Sequence, residues 1–256
     1  MNSKSTQKIS ALIITLNEAI HMSELLNDLK FADEVIVVDS FSKDETKRIA
    51  ESFENVKFIE HQFENYTAQR NFAIDQAKNK WILFLDADER LTPELKEEII
   101  FTIHQEDPCN AYLFYRKFMF KDQVLHFSGW QTDKIFRLFN KNFAKYMNER
   151  LVHEKLDVQG KIGFLKNKLI HYSYSDYKSY KTKMYSYGKF KAQEKFIKNL
   201  KPTFFHRIAH PSYNFLYNYL VRLGFLDGLK GIIICYLNAY SIHVRYQELD
   251  KLWDKK

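Results

Sequence analysis

One stretch constrains this chain more than any other: Trp81-Ile82-Leu83-Phe84-Leu85-Asp86-Ala87-Asp88-Glu89, five apolar or aromatic residues running straight into two carboxylates. An uninterrupted apolar run of this length reads as a strand covered on both faces, the kind found at the centre of a parallel sheet. Thr92 offers an N-cap oxygen and Pro93 the favoured first helical position, so the next helix starts only after both acids have been passed. The acids therefore stand beyond the carboxyl end of a strand, where open α/β sheets bind their ligands. Residues two apart in extended backbone project to one side, which lets Asp86 and Asp88 share a hard cation such as Mg2+ or Mn2+. The competing reading is a pair of solvated acids that favour the dipole of the following helix.

The flanking sequence repeats the theme. Residues 9–15 form a first apolar strand ending at Thr15-Leu16-Asn17-Glu18, and residues 35–38 a second, β-branched strand ending at Asp39. Helical patterns lie between and after them: residues 19–30, with Met22, Leu25, Leu26 and Leu29 on one face; residues 45–52; and, beyond a short strand at 56–60, residues 65–78 with Gln69-Arg70-Asn71. Strand alternating with helix is the signature of a parallel sheet. After a helix over 93–104 the chain returns to extended structure at 111–116 and 135–139, with a turn at Gly129-Trp130. From residue 177 onward the pattern is helical, interrupted at Pro202 and Pro211 and ending in a helical pair joined near Gly224. The expectation is an α/β domain over residues 1–175 and a helical, basic and aromatic extension over 176–256.

Charge is divided between the halves. Residues 1–128 hold 15 Lys and Arg against 22 Asp and Glu, a net of −7, whereas residues 129–256 hold 24 against 10, a net of +14. The basic half suits nucleic acid, an anionic membrane face or a phosphorylated substrate. Cys109 and Cys235 have no metal-like spacing and read as reduced thiols of a cytoplasmic protein. Residues 1–8 lack the apolar run of a signal peptide. The most membrane-like segment, residues 231–244, is too short to span a bilayer core of ~30 Å but long enough to lie on one.

With seven glycines in the chain, there is neither a Gly-x-Gly-x-x-Gly after the first strand nor a Gly-x-x-x-x-Gly-Lys-Ser/Thr loop. A bound diphosphate would thus need a metal rather than a backbone cradle. Thr15-x-Asn17-Glu18, Val-Val-Asp39-Ser with Ser42-x-Asp44-x-Thr46, Gln69-Arg70-Asn71 and Leu-Asp86-Ala-Asp88 occur in that order over the first ninety residues. Together they resemble the nucleotide-sugar domain of family 2 glycosyltransferases, which have the GT-A fold, a Rossmann-like, mostly parallel sheet with flanking helices. Tyr115-Arg116-Lys117, Gly129-Trp130, Phe136-Arg137-Leu138-Phe139, Val152-His153-Glu154 and Ile170-His171-Tyr172 narrow the resemblance to bacterial lipopolysaccharide inner-core β-1,4-glucosyltransferases. Tyr219 and the run from Gly224 through Asp227-Gly228 to Gly231 extend it nearly to the end of the chain.

The resemblance implies an inverting, metal-dependent hexosyltransferase that moves one sugar from a UDP-sugar such as UDP-glucose, with Mn2+ or Mg2+, onto a saccharide acceptor in cell-envelope glycan synthesis. It implies that Thr15, Asn17, Glu18 and Asp39 line the uridine pocket and that Arg70 lies near the diphosphate or base. It further implies that Asp86 contacts the ribose or metal-bound phosphate and that Asp88 is the principal metal ligand. Direct displacement needs one general base. Glu154 is the candidate, with Glu149 and Asp133 behind it, because the Glu-Asp pair of many relatives occurs here only at Glu106-Asp107, too early in the chain. His153 and His171 are read either as additional metal or phosphate groups or as structural histidines. Arg116, Lys117, Trp130 and Arg137 fall where an anionic, lipid-linked acceptor would approach; Trp130 and Arg137 alternatively pack the sheet. The basic extension then contacts the cytoplasmic face of an anionic membrane peripherally. Two rival classes use parts of the same evidence: a metal-dependent nucleotidyltransferase or phosphohydrolase built on Asp86 and Asp88, and a basic nucleic-acid-binding module, which has no need of acidic strand ends.

Overall fold

The computed structural model describes residues 7–120, 123–147, 155–174 and 176–255. Its first half alternates strictly: β1 (Ile9–Thr15), α1 (Ala19–Asp28), β2 (Glu34–Asp39), α2 (Thr46–Glu51), β3 (Val56–Glu60), α3 (Tyr66–Gln76) and β4 (Trp81–Asp86). β1 lies between β2 and β4, with β3 outside β2, and all four strands are parallel. Side chains alternate across a strand, so the apolar runs feed two layers. Ala11, Ile13, Val35, Val37, Leu83 and Leu85 pack on one face with Met22, Leu25 and Leu26 of α1. Leu12, Ile36, Val38, Ile82 and Phe84 pack on the other with Ala73 and Ile74 of α3. The registers pair Thr15 with Asp39 and Ile14 with Asp86, which brings Thr15, Asp39 and Asp86 to one edge of the sheet.

The chain continues through β5 (Glu89–Arg90), α4 (Pro93–Ile103), β6 (Ala111–Phe120), β7 (Gln123–Leu125), β8 (Lys134–Asn140), β9 (Ala144–Met147), β10 (Lys155–Val158), β11 (Ile162–Phe164) and β12 (Leu169–Tyr174). The N-cap of α4 is Thr92, whose side chain accepts from the Leu95 amide at 3.2 Å. The main sheet runs β3-β2-β1-β4-β8-β6-β12-β5, with β8 antiparallel to both β4 and β6, while β9 and β10 form a separate antiparallel pair. β5 is only two residues long, yet its pairing sets His171 opposite Glu89 and Ile170 opposite Arg90. The α/β sheet expected from the sequence is present, followed by a helical C-terminal region.

That region comprises α5 (Tyr177–Ile197), α6 (His210–Leu216) and α7 (Gly228–Asp254), with π-helical turns at Phe205–Ala209 and Tyr217–Val221 on either side of α6. The chain divides into two compact units, Met1–Arg116 with Lys134–His171, and Lys117–Asp133 with Tyr172–Lys256. The core of the second unit forms where Tyr180, Met184 and Ala192 of α5 bury against Ile234, Leu237, Ile242, Tyr246 and Leu249 of α7. The apolar stretch over 231–244, read from sequence as the most membrane-like segment, faces protein over most of its residues: Gly231, Ile234, Cys235, Leu237, Ala239, Ser241, Ile242 and Val244 are buried, while Ile232 and Tyr236 are exposed. Among the described residues, no helix is long and apolar enough to cross a membrane.

The start of α7 depends on an absent side chain. A Cβ added at Gly231 would stand 1.9 Å from the Gly224 carbonyl oxygen, and a backbone atom cannot rotate away. Gly231→Ala is expected to lower unfolding free energy by about 3 kcal/mol, whereas Leu229→Ala, at a position 84% exposed, changes it by no more than about 0.5 kcal/mol. Urea denaturation of the two variants checks the contrast.

Candidate active site

The loops that follow β1 and β2 are tied together by side chains. Asn17 adopts a left-handed backbone (φ 55°), which Asn tolerates better than most residues. Its amide donates to Ser42 Oγ at 2.7 Å, and its Oδ1 accepts from the Lys43 amide at 2.7 Å. Glu18 is the N-cap residue of α1 but makes no side-chain cap. Thr46 Oγ1 and Asp44 Oδ2 accept instead from the amides of Glu18 and Ala19, at 2.9 and 3.1 Å. Asp39 is buried, and its two carboxylate oxygens accept from the amide and the hydroxyl of Ser42. Thr15 Oγ1 is buried with no hydrogen-bond partner among the described residues. Thr15, Asn17, Glu18 and Asp39 thus meet at the paired ends of β1 and β2.

The acidic turn next to them is organised by ion pairs. Asp86 Oδ1 accepts from Arg70 Nη2 at 2.9 Å, and Oδ2 pairs closely with Arg137 Nη2. Arg137 also donates to Glu89 Oε1 at 2.8 Å and holds its Nε 2.8 Å from Oε2. Glu89 in turn accepts the Asp86 amide at 3.0 Å and lies 3.6 Å from Arg116. Arg137 and Glu89 are both fully buried, a placement that charges tolerate only when paired and hydrogen-bonded. The Arg70 guanidinium also sits 4.7 Å from the centroid of Phe84 and 5.4 Å from that of Tyr146. Burial alone would raise the Asp86 carboxyl, but the adjacent charges of Arg137 and Arg70 outweigh it and hold that carboxyl well below the usual carboxylate range. Arg137 is correspondingly held in its charged form by Asp86 and Glu89 against the penalty of its own burial.

Asp88 goes elsewhere. Residues 87 and 88 form a turn, so the extended alternation that would have put the two acids on one side stops at Asp86. Asp88 Oδ2 lies 3.3 Å from His171 Nε2, a neighbour supplied by the β5–β12 pairing. His171 is also close enough for its charge to lower the Asp86 carboxyl. From behind, Arg90 fixes the turn by donating to the carbonyls of Ala87 and Glu89, each at 2.8 Å, and to that of His21 at 2.9 Å. His21 is pushed down by burial and by the charge of Arg90, with Asp88 acting in the opposite sense.

The candidate base Glu154, with His153 and Glu149, lies outside the described residues. Asp133 and Trp130 belong to the second unit, where Trp130 stacks on Phe118 with centroids 3.8 Å apart. Arg137, read from sequence as facing an acceptor or packing the sheet, is fully buried and committed to Asp86 and Glu89. Glu89 is the residue that sequence reasoning missed. Its signal was Arg137 itself, a guanidinium enclosed by Phe136, Leu138 and Phe139, which demands a buried acid. Among the described residues, no group of three or more His, Cys, Asp and Glu side chains is arranged to hold a metal; Asp88 and His171 provide two donors.

The profile of glycosyl transferase family 2 matches residues 10–173. An uncharacterised glycosyltransferase of Rickettsia conorii is 32% identical over 260 residues, covering 97% of this chain and 92% of that protein. The lipopolysaccharide core biosynthesis glycosyltransferase LpsC of Rhizobium meliloti is 25% identical, covering 93% of each. Among solved structures, the mannosyltransferase PcManGT from Pyrobaculum calidifontis, in complex with GDP-Man and Mn2+, shares the fold with a TM-score of 0.59 at 16% identity. That likeness covers 99% of this chain and 89% of the other. TarS 1–349 of S. aureus in complex with UDP gives 0.50 at 17% identity, covering 98% and 92%.

Two outcomes follow from the ion cluster. Arg137→Met strands Glu89 and Asp86 and is expected to cost about 3–5 kcal/mol, part of which returns when Glu89→Leu is added. Denaturant titration of the single and double variants measures both. Because the folded-state pKa of Asp86 is depressed, its contribution is complete above its unfolded value of about 4 and is lost as pH falls from there toward the folded value. Stability measured from pH 5 downward should therefore fall more steeply for the natural chain than for Asp86→Asn.

Proposed function

We propose, from the premise that this chain belongs to glycosyl transferase family 2, that it transfers a single sugar from a UDP-sugar to a saccharide of the cell envelope, with inversion at the anomeric carbon. The observation that carries this reading is the donor pair Asp88–His171, set immediately beyond Asp86 on the sheet edge that also holds Thr15 and Asp39. A carboxylate oxygen and an imidazole nitrogen 3.3 Å apart fit neighbouring positions around one octahedral cation, whose adjacent ligands stand on the order of 3 Å apart. Asp86 is the poorer ligand, since both its oxygens already face guanidinium groups. Asp88 and His171 would hold Mn2+ or Mg2+, which would supply Lewis acidity to a leaving diphosphate.

The chain's own residues do the rest. Thr15, Asn17, Glu18 and Asp39 bind the nucleoside, and the partnerless Thr15 Oγ1 is a polar atom that such a ligand would satisfy. Asp86, fixed by Arg70 and Arg137, presents a carboxylate held ionised to the ribose, and Arg70 adds positive charge on the diphosphate side. Glu154 takes the proton from the attacking acceptor hydroxyl; direct displacement then needs no further base. LpsC is named for lipopolysaccharide core biosynthesis, which favours a core-type saccharide, phosphorylated and lipid-linked, as the acceptor here. The basic C-terminal region would hold the enzyme peripherally at the cytoplasmic face where such an acceptor resides. UDP-glucose is the first donor to test, with UDP-GlcNAc and GDP-mannose beside it.

Thermal unfolding with each nucleotide sugar and Mn2+ tests the donor assignment. A donor present at about one hundred times its Kd stabilises by about 2.7 kcal/mol. Asp88→Ala is expected to abolish the metal-dependent part of that stabilisation. Glu154→Gln is expected to keep it while UDP release onto acceptor drops by about 100-fold to 10,000-fold; full turnover in this variant would move the base to another residue.

A further inference from the structure

The second unit exposes an apolar surface that sugar transfer in the first does not explain. Over residues 204–221 the chain is helical through the π-turn at Phe205–Ala209, α6 and the π-turn at Tyr217–Val221, and none of these three elements buries a residue. A helix on a globular domain ordinarily hides its apolar stripe. Here Phe204, Phe205, Tyr213 and Val221 are 73%, 66%, 63% and 65% exposed, and Ile208, Leu216 and Leu220 are each more than half exposed. Leu226 and Leu229 carry the exposed apolar surface across the turn into α7. A groove of about 560 Å³ is lined chiefly by Ile208, Pro211, Phe215 and Leu216 of this segment and by Tyr236 and Tyr240 of α7. Scattered exposed apolar residues are ordinary, but so many within one short helical segment point to an interaction site.

Charge identifies the partner. Residues 177–236 contain eleven Lys and Arg against two acids, Glu194 and Asp227. Asp227 is buried, accepting from the amides of His126 and Phe127. Within 204–221 there is no acid, and the only Lys or Arg is Arg207, which pairs with Asp250. Lys195, Lys198 and Lys201 precede residues 204–221; Arg222 and Lys230, which follow, donate to the carbonyls of Gly129 and Phe120, so the basic end of the segment is chiefly the lysine-rich one. An aromatic and aliphatic centre with a basic end suits an element lying in the plane of an anionic lipid surface. A second copy of this chain suits it poorly, because a two-fold contact would set two basic surfaces against each other.

We propose that residues 204–229 seat the protein on an anionic phospholipid bilayer, with Phe204, Phe205, Ile208, Tyr213, Leu216 and Leu220 entering the boundary between headgroups and acyl chains. This deepens the reading of a lipid-linked acceptor and rests on it for its purpose, but lipid binding is measured without turnover. The segment precedes residues 231–244, most of whose apolar side chains are buried, Ile232 and Tyr236 being exposed.

The test is co-sedimentation of the full chain with vesicles of equimolar phosphatidylglycerol and phosphatidylcholine, against vesicles of phosphatidylcholine alone. Binding is expected to be at least about tenfold tighter to the anionic vesicles. The triple variant Phe204→Ser, Phe205→Ser, Leu216→Ser is expected to lose at least about tenfold in binding, with donor-induced thermal stabilisation intact. Hydrogen exchange of the unmodified protein, with and without anionic vesicles, decides the matter even if the variant folds poorly: new protection should centre on residues 204–229. The proposal is overturned by equal binding to both vesicle types, by undiminished binding of a folded triple variant, or by protection elsewhere. It is also overturned by a concentration-dependent dimer that the same substitutions dissociate. Absence of vesicle binding with donor stabilisation retained refutes this inference alone; the reverse pattern refutes the donor assignment.

Discussion

Charge compensation beneath Asp86 is the constraint on which the site depends. A carboxylate at the end of a fully covered strand and a second one, Glu89, in the interior require positive partners, and Arg137 serves both while Arg70 completes the set. Buried ion clusters add little stability over apolar residues of similar volume, and breaking one is costly. The consequence of this cluster is geometric. Asp86 is engaged from below, its amide is held by Glu89, and Asp88 in the following turn stands beside His171.

The sheet supplies the frame for that chemistry. Parallel registers bring the ends of β1, β2 and β4 to one edge, and two apolar layers immobilise them. The two loops at the edge hold each other: Ser42, Asp44 and Thr46, from the stretch after β2, supply acceptors to the amides of Asn17, Ala19 and Glu18. A loop braced in this way has few conformations left to lose on binding a ligand, which lowers the entropic cost of binding. The second unit is separate in character, a helical core of α5 and α7 whose apolar surplus lies outside rather than within.

Much of this was legible from residue order. The strands at residues 9–15, 35–38 and 81–85 announced themselves because runs covered on both faces are predominantly apolar, Ser10 being tolerated through its hydrogen bond to Glu34. Thr92 and Pro93 fixed the start of α4 through a cap and a φ constraint that act locally. The motifs around Asn17, Asp39, Asp44 and Asp88 carried the family, and the family profile agrees. What escaped was non-local. Arg137 and Asp86 are 51 positions apart, and no local period connects them. β5 spans two residues, too short to carry a pattern, yet it delivers His171 to the acidic turn. Residues 231–244 read as a surface segment because hydropathy cannot distinguish lipid from a neighbouring helix; α5 packs on Ile234, Leu237 and Ile242 and so buries one face of them.

We propose that Asp88 and His171, rather than Asp86, hold the cation that would accompany a bound nucleotide. Pulsed electron paramagnetic resonance on the complex with Mn2+ and UDP addresses it directly, because a manganese-bound imidazole imprints nitrogen couplings on the echo. The account predicts couplings from one imidazole that vanish in His171→Gln and persist in Asp86→Asn. Bound Mn2+ without nitrogen coupling, or couplings that survive His171→Gln, would contradict it.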